Sequence, residues 1–274
     1  MISRLEYEGL VAAALREDAP FGDPFGSSFS ERARGIFVAG AKGVFCGGMV
    51  AVEVFRQVDP LVSAMFLREG GRVSRGEKVG EADGAAASLL RGERVALNFL
   101  QHLSGVASTT AAYVERVSPH GTRILDTRKT TPLLRTLEKY AVRVGGGHNH
   151  RFSLSDGVLI KENAIRAAGG IAEAVTAARR TAPHPARVEV EVENLEQAEE
   201  ALDAGADALL LDNMAPDTVR EAVLRYGRKI LLEASGGIHL GNVAEYARTG
   251  IPAISIGAIT HSSPALDISF EIEQ

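Results

Sequence analysis

Cysteine is almost missing from this chain: Cys46 is the only one, set in the apolar, glycine-rich run GVFCGG. That excludes an intramolecular disulfide framework and any cysteine-built zinc site, and Cys46 is expected to be a buried structural thiol. Long apolar runs are missing as well. The N-terminal MISRLEYEGLVAAALRED alternates apolar and charged residues at helical spacing, with neither a secretory h-region nor a membrane span. A reducing cytoplasm is the expected setting. Positive charge is not in excess: the formal net charge is −5 and the pI is near 5.9. Such a balance opposes general attraction to nucleic-acid backbone or anionic lipid and leaves local cation clusters to bind small anions. The familiar signatures of phosphate loops (GxxxxGKS or GxxxxGKT), CxxC pairs, HExxH zinc sites and GxSxG elbows are absent. No GxGxxG lies between a strand and a helix either, so metallohydrolase, nucleophile-elbow hydrolase and dinucleotide-dependent dehydrogenase readings all lose support.

What is present is a folded, soluble chain of 274 residues, 45% hydrophobic and 24% charged, long enough for a large α/β domain with or without a smaller companion. From about residue 122, short β-branched runs (RILDT, GVLIK, RVEVEVE, ALLLDN, KILLEA, AISIG) alternate with segments whose apolar residues recur at i, i+3, i+4. That rhythm means βαβ units and a parallel sheet. Open sheet and closed barrel both satisfy it. Polar or glycine-bearing residues end nearly every strand: Asp126 and Arg128, Lys161, Glu191 and Glu193, Asp212, Glu233 with Ser235 and Gly236, and Gly257. So many contributing strands favour a barrel, whose strand ends converge on one mouth. Before residue 120 the rhythm is different: a helix near Leu5 to Arg16, strands at GIFVAG and GVFCGG, a helix at MVAVEVFRQV and a turn-punctuated β stretch. A long helical segment from Gly92 to Val117 follows, with Gly105 as a packing contact or a break.

In an acidic chain, the stretch ILDTRKTTPLLRTLEKYAVRVGGGHNHR gathers Arg128, Lys129, Arg135, Lys139, Arg143, His148, His150 and Arg151. A solvated basic helix flanked by loops would explain it. The rest of the chain favours a different role. Arg128 and Lys129 follow one strand, His150 and Arg151 follow the glycine run, and Lys161 ends the next strand, a set suited to a ligand with several negative charges. Glu191 and Asp212 end two later strands, where carboxylates could hold a divalent cation or accept bonds from sugar hydroxyls. EASGGI and SIGAITH end the last two strands; their small residues either free backbone N–H groups for a phosphate or only permit tight turns. His148 and His150 lack a third ligand nearby in sequence, which argues against zinc.

Taken in order, DTRKTTPLLRTLEKYAVRVGGGHNHR, LIKEN, VEVE, LLDNM, EASGGI, SIGAITH and ERVALNFLQHLSGVA resemble the quinolinate phosphoribosyltransferase family, also called nicotinate-nucleotide pyrophosphorylases, over about residues 7 to 270. The resemblance implies an N-terminal α/β sandwich (α+β) domain at 1–110, leaving open whether 265–274 return to it, and an incomplete, about seven-stranded α/β barrel at 111–264. It also implies a head-to-tail homodimer, or a higher oligomer, with shared sites. The implied activity is the Mg²⁺-dependent reaction of quinolinate with phosphoribosyl pyrophosphate, giving nicotinate mononucleotide, pyrophosphate and CO₂ in NAD biosynthesis.

Carried over by position, Arg128, His150, Arg151 and Lys161 resemble the contacts to the quinolinate carboxylates, and Arg94 resembles an arginine supplied by the neighbouring subunit. Lys129 and Lys161 match lysines near the pyrophosphate, and Glu191 and Asp212 match carboxylates near the ribose hydroxyls and the metal, directly or through substrate or water. Ser235, Gly236, Gly257 and His261 match the phosphate end. The catalytic set so implied is Lys129, Lys161, Glu191 and Asp212.

Ala164, Ser153 and Pro24-Phe25 depart from the family's usual histidine, glycine and threonine, and none of these costs a charged position. Three competitors stay in view. One is a molybdenum-operon relative of the same fold, which retention of DTRKTTP and LIKEN disfavours. Another is a phosphosugar sensor without turnover, disfavoured by the Glu191 and Asp212 pair. The last is an aldolase using Lys161 as a Schiff base, which needs a desolvated lysine.

Overall fold

The computed structural model describes residues 2–29 and 31–273, which fall into two compact units. Met1–Ala111, Thr130–Gly146 and Ile259–Gln274 form the first; Ala112–Lys129 and Gly147–Ala258 form the second. The early elements are α1 (Glu8–Asp18), β1 (Arg32–Ala39), β2 (Gly43–Val44), α2 (Gly48–Val58), β3 (Ser63–Phe66), β4 (Arg72–Val73), β5 (Lys78–Ala85) and α3 (Ala86–Val117). Next come β6 (Arg123–Leu125), α4 (Arg135–Val144), β7 (Val158–Ile160), α5 (Glu162–Ala168), α6 (Ile171–Thr181), β8 (Val188–Val192) and α7 (Leu195–Asp203). The last are β9 (Ala208–Asp212), α8 (Pro216–Tyr226), β10 (Leu231–Ser235), α9 (Val243–Ala247), β11 (Ala253–Ser255), α10 (Ala258–His261) and β12 (Ile268–Ile272). No helix among the described residues is long and apolar enough to cross a membrane.

The first unit is built on an antiparallel sheet in the order β12-β1-β5-β3, in which the C-terminal strand pairs with β1 from Gly35↔Ile272 to Ala39↔Ile268. Alternation in β1 turns Phe37 inward, where its ring meets those of Phe270, Phe66 and Phe55 at centroid distances of 4.6, 5.0 and 6.1 Å. Aromatic clusters of this kind contribute beyond their area because edge and tilted contacts match ring quadrupoles. Of the two sequence readings of Gly105, a packing contact or a break, the structure bears out the first: α3 is one unbroken helix, and a Cβ at Gly105 would lie 2.2 Å from the Pro264 carbonyl oxygen. The glycine is therefore a close-packing contact.

Helix α4 also belongs to this unit, because its buried Glu138 accepts the Thr131 N–H at 3.1 Å and meets His102 Nε2 at 2.9 Å. Arg135, Lys139 and Arg143 accordingly part company with the other cations of the basic stretch.

The second unit is a six-stranded parallel sheet in the order β6-β11-β10-β9-β8-β7, one strand short of the expectation. A single bridge, Leu125↔His148, adds one residue outside β6, and no pairing joins it to β7 among the described residues. The reason lies in residues 149–156, whose amides bond to side chains instead of a neighbouring strand. Asp126 accepts the His150 N–H at 2.8 Å, and Asp156 accepts those of Phe152 and Ser153 at 2.6 and 2.8 Å. Along β8 the two-residue period sends Val188, Val190 and Val192 to a fully buried face and Glu189 and Glu191 to the other.

Candidate active site

Beyond the C-terminal ends of the parallel strands lies a cavity of about 600 Å³. The end of β6 runs into Thr127, Arg128 and Lys129 at its wall; β7 delivers Lys161, β8 Glu191, β9 Asp212 and Asn213, β10 Ser235, Gly236 and Gly237, and β11 Ser255. His150 and Arg151 complete it from the loop after the glycine run. Residues scattered over more than a hundred positions of sequence thus meet because parallel strands all point one way, with their loops on one rim.

The charges are interleaved rather than separated. Lys161 pairs directly with Glu191 across neighbouring strands, so cation and carboxylate meet in one wall. Arg151 is half-buried; its Nη1 donates to the Gly157 carbonyl at 2.8 Å, and burial, then the Arg128 charge, hold its pKa below the usual guanidinium value. An anion bound beside Arg128 and Arg151 would relieve the repulsion between these two like charges. Asp212, in the cavity wall, accepts from the Asn213 side chain at 2.7 Å.

Gly236 has two constraints at once: its φ is +84°, and a Cβ there would meet Asn213 Oδ1 at 2.3 Å. The Asn213 N–H donates to the Ser235 carbonyl at 2.9 Å, which ties the ends of β9 and β10 together beside that turn.

Below this cavity, on the inward face of the same sheet, His150 Nε2 lies 3.1 Å from Glu189 and 3.6 Å from Glu233. Burial first, and the Glu189 charge second, push the Glu233 carboxyl up to about 7. Asp126 is fully buried and accepts from the His150 N–H and, at 2.5 Å, from the Asn149 side chain.

Not every expected residue lines the cavity. Gly257 is not in its wall, and Arg94 and His261 belong to the first unit, with Arg94 exposed and His261 Nδ1 2.6 Å from the Ser262 hydroxyl. Glu193 lies past the end of β8, where its N–H donates to Gln197 Oε1 at 2.8 Å. His148 stands exposed and is not part of the cluster that His150 forms with Glu189 and Glu233.

Sequence reasoning passed over Asn213, Ser255 and above all Glu189. The signal for Glu189 was in VEVEVE itself, since a residue two before Glu191 must share its face. Cys46 is fully buried, and burial raises its thiol well above the ordinary value, in keeping with an inert structural role.

A parallel α/β unit with a cation-rich, carboxylate-bearing cavity at its strand ends defines an enzyme that handles a small polyanion. Residues 106–271 match the C-terminal domain of quinolinate phosphoribosyl transferase, and residues 27–104 match its N-terminal domain. The chain belongs to the quinolinate phosphoribosyltransferase family. It is 44% identical to a probable carboxylating nicotinate-nucleotide pyrophosphorylase of Bacillus subtilis, over 99% of this chain and 95% of that one. It is 38% identical to the carboxylating nicotinate-nucleotide pyrophosphorylase of Mycobacterium leprae, over 99% and 100%. The solved nicotinate-nucleotide pyrophosphorylase of Francisella tularensis superposes with a TM-score of 0.95 at 38% identity, covering 100% of this chain and 98% of that one.

Proposed function

We propose that this enzyme transfers phosphoribose from phosphoribosyl pyrophosphate to quinolinate with loss of CO₂, yielding nicotinate mononucleotide and pyrophosphate for NAD biosynthesis. The observation that carries the proposal is the single cavity that brings Arg128, Lys129, Arg151 and Lys161 together with Glu191 and Asp212. Quinolinate is a dianion and its partner carries more negative charge still. Two like unit charges about 4 Å apart cost roughly 4 kcal/mol at a surface-like dielectric, so the pair needs clustered cations between them. Each charge-assisted bond from Arg128, Arg151 or Lys161 to a carboxylate is worth about 1.5–3 kcal/mol.

The pyridine nitrogen attacks the anomeric carbon as the bond to pyrophosphate breaks. Glu191 and Asp212 face the positive charge that develops on the ribose, and Lys129 and Lys161 face the departing anion. The ring that results is cationic, so when the carboxylate beside the nitrogen leaves as CO₂ the electron pair stays on that ring carbon, which then takes a proton. No protein nucleophile is required. Ser235, Gly236 and Gly237 offer small residues and backbone amides to the ribose phosphate, as turns after the final strands of such units do.

Glu191 and Asp212 supply hard carboxylate oxygens, a donor set that suits Mg²⁺, which takes one or two carboxylates and completes its shell with water and phosphate oxygens. When bound there, the ion would neutralise charge on the pyrophosphate. Lys161 as a Schiff-base nucleophile is disfavoured, because its ammonium is half-exposed and ion-paired with Glu191 rather than desolvated. Arg94 and His261 are assigned to substrate from the family positions, Arg94 as a residue given across a homodimer. Incubation with carboxyl-labelled quinolinate, phosphoribosyl pyrophosphate and Mg²⁺ tests the proposal: CO₂ and pyrophosphate should appear in equal amounts. Absence of both from folded protein would refute it.

A further inference from the structure

A second cavity of about 460 Å³ lies against the same parallel sheet, and the two cavities share His150 and Arg151 as wall residues. At that wall His150 Nδ1 accepts the backbone N–H of Arg151 at 2.7 Å. A ring nitrogen that accepts carries no proton, so the hydrogen of the neutral imidazole sits on Nε2. Nε2 is the nitrogen that lies 3.1 Å from Glu189 and 3.6 Å from Glu233. The tautomer decides between two uses of the cluster. One imidazole and two carboxylates with ligand atoms within 4.8 Å of one another have the composition of a divalent-metal site. A metal, however, takes the Nε2 lone pair, and here Nε2 presents an N–H. The three residues form a clamp on a donor.

We infer that Glu189 and Glu233 are positioning residues for the diacid-binding edge of the active site, acting through the His150 ring on Arg151; the inference rests on the quinolinate reading above. Neither carboxylate is in the wall of the upper cavity. Glu189 holds the ring at 3.1 Å, with Glu233 behind it at 3.6 Å, beyond hydrogen-bond length; the ring holds the Arg151 amide, Asp126 takes the His150 amide at 2.8 Å, and Gly157 takes the Arg151 guanidinium at 2.8 Å. Glu233 Oε1 has no hydrogen-bond partner although the side chain is almost entirely buried. Burying a second acid beside the first is costly, and a well-packed apolar residue would be the more stable choice if packing were all that mattered. The arrangement makes sense where the donor's direction matters for binding.

The test is steady-state kinetics of Glu189→Ala and Glu189→Gln together with ¹⁵N NMR of the His150 ring. Glu189→Ala should raise KM for quinolinate about tenfold while leaving KM for phosphoribosyl pyrophosphate within about twofold. Glu189→Gln keeps an acceptor oxygen and should recover most of the loss, and wild-type protein should show the Nε2–H tautomer. An unchanged quinolinate KM in folded Glu189→Ala, or an Nδ1–H tautomer in the wild type, overturns the inference and leaves the enzyme assignment standing. If Glu189→Ala does not fold, the wild-type and Glu189→Gln spectra still decide, since both must show Nε2–H. A wild type that does not turn over quinolinate overturns the functional reading, and this inference with it.

Discussion

Leu133 and Glu233 show how single residues can be set against their surroundings. Leu133 has a φ of +67°, left-handed backbone that leucine rarely adopts, and its side chain is 88% exposed, so nothing is gained from packing. Replacing it with glycine removes a strain of about 1–2 kcal/mol and costs the extra freedom of an unfolded glycine, up to about 1 kcal/mol. Leu133→Gly should therefore be neutral to slightly stabilising in urea denaturation, where most changes in a loop would destabilise.

Glu233 carries a folded-state pKa raised to about 7, so between its ordinary 4.5 and 7 the native state holds a proton that the unfolded chain has lost. Stability from this group is thus highest below 4.5, falls as pH rises to 7 and is level above. Glu233→Gln should flatten that fall, gaining on the wild type by up to roughly 3 kcal/mol between pH 5 and 8, as read from denaturation midpoints at the two pH values. For Lys161→Ala, loss of one charge-assisted bond predicts a quinolinate affinity about 10–100-fold weaker, measurable by calorimetry, with the fold intact because the side chain is exposed.

Among the elements, α3 and the loop after the glycine run divide what could be read in advance from what could not. The apolar spacing of α3 was legible from Gly92 onward, but its start at Ala86 was not, since β5 runs straight into it at Ala85 without a capping residue. Gly105 could be read only as an alternative, because what decides it is Pro264, far along the chain. Gly105→Ala puts helix propensity, worth up to about 1 kcal/mol in favour of alanine, against a Cβ 2.2 Å from a backbone oxygen. Overpacking of that kind costs about 1–3 kcal/mol, so the variant should lose stability in thermal unfolding.

The parallel strands were legible because their β-branched runs are dense and their helices regular. The missing seventh strand was not, because the bonds that Asp126 and Asp156 make to the 149–156 backbone cannot be read from periodicity. Arg128, Lys129, Lys161, Glu191 and Asp212 could be found because each follows or ends a strand. Glu189 escaped because a mid-strand carboxylate looks like the solvent face of an amphipathic strand until both faces are known to be covered or enclosed.

For the molecule as a whole, the acidic net charge and the local cation cluster are compatible because the cluster is split. Arg135, Lys139 and Arg143 fall with one compact unit, while Arg128, Lys129, His150 and Arg151 converge in the other. The proposed sharing of the site across a homodimer makes a further prediction for Arg94, which is exposed and pairs only weakly with its neighbour Glu93 at 4.0 Å. Arg94→Ala and Lys161→Ala proteins, each impaired alone at limiting quinolinate, should regain activity when mixed into verified heterodimers, because one site per pair keeps both residues. Heterodimers with no regained activity would place Arg94 outside the site.

The most direct measurement is a crystal structure with phthalate, a quinolinate-like diacid, soaked into the protein. Its two carboxylates should lie in the upper cavity within hydrogen-bond distance of Arg128, Arg151 and Lys161, with Lys161 drawn away from Glu191. Phthalate bound elsewhere, or these three side chains turned out to solvent while the ligand is present, would contradict the assignment.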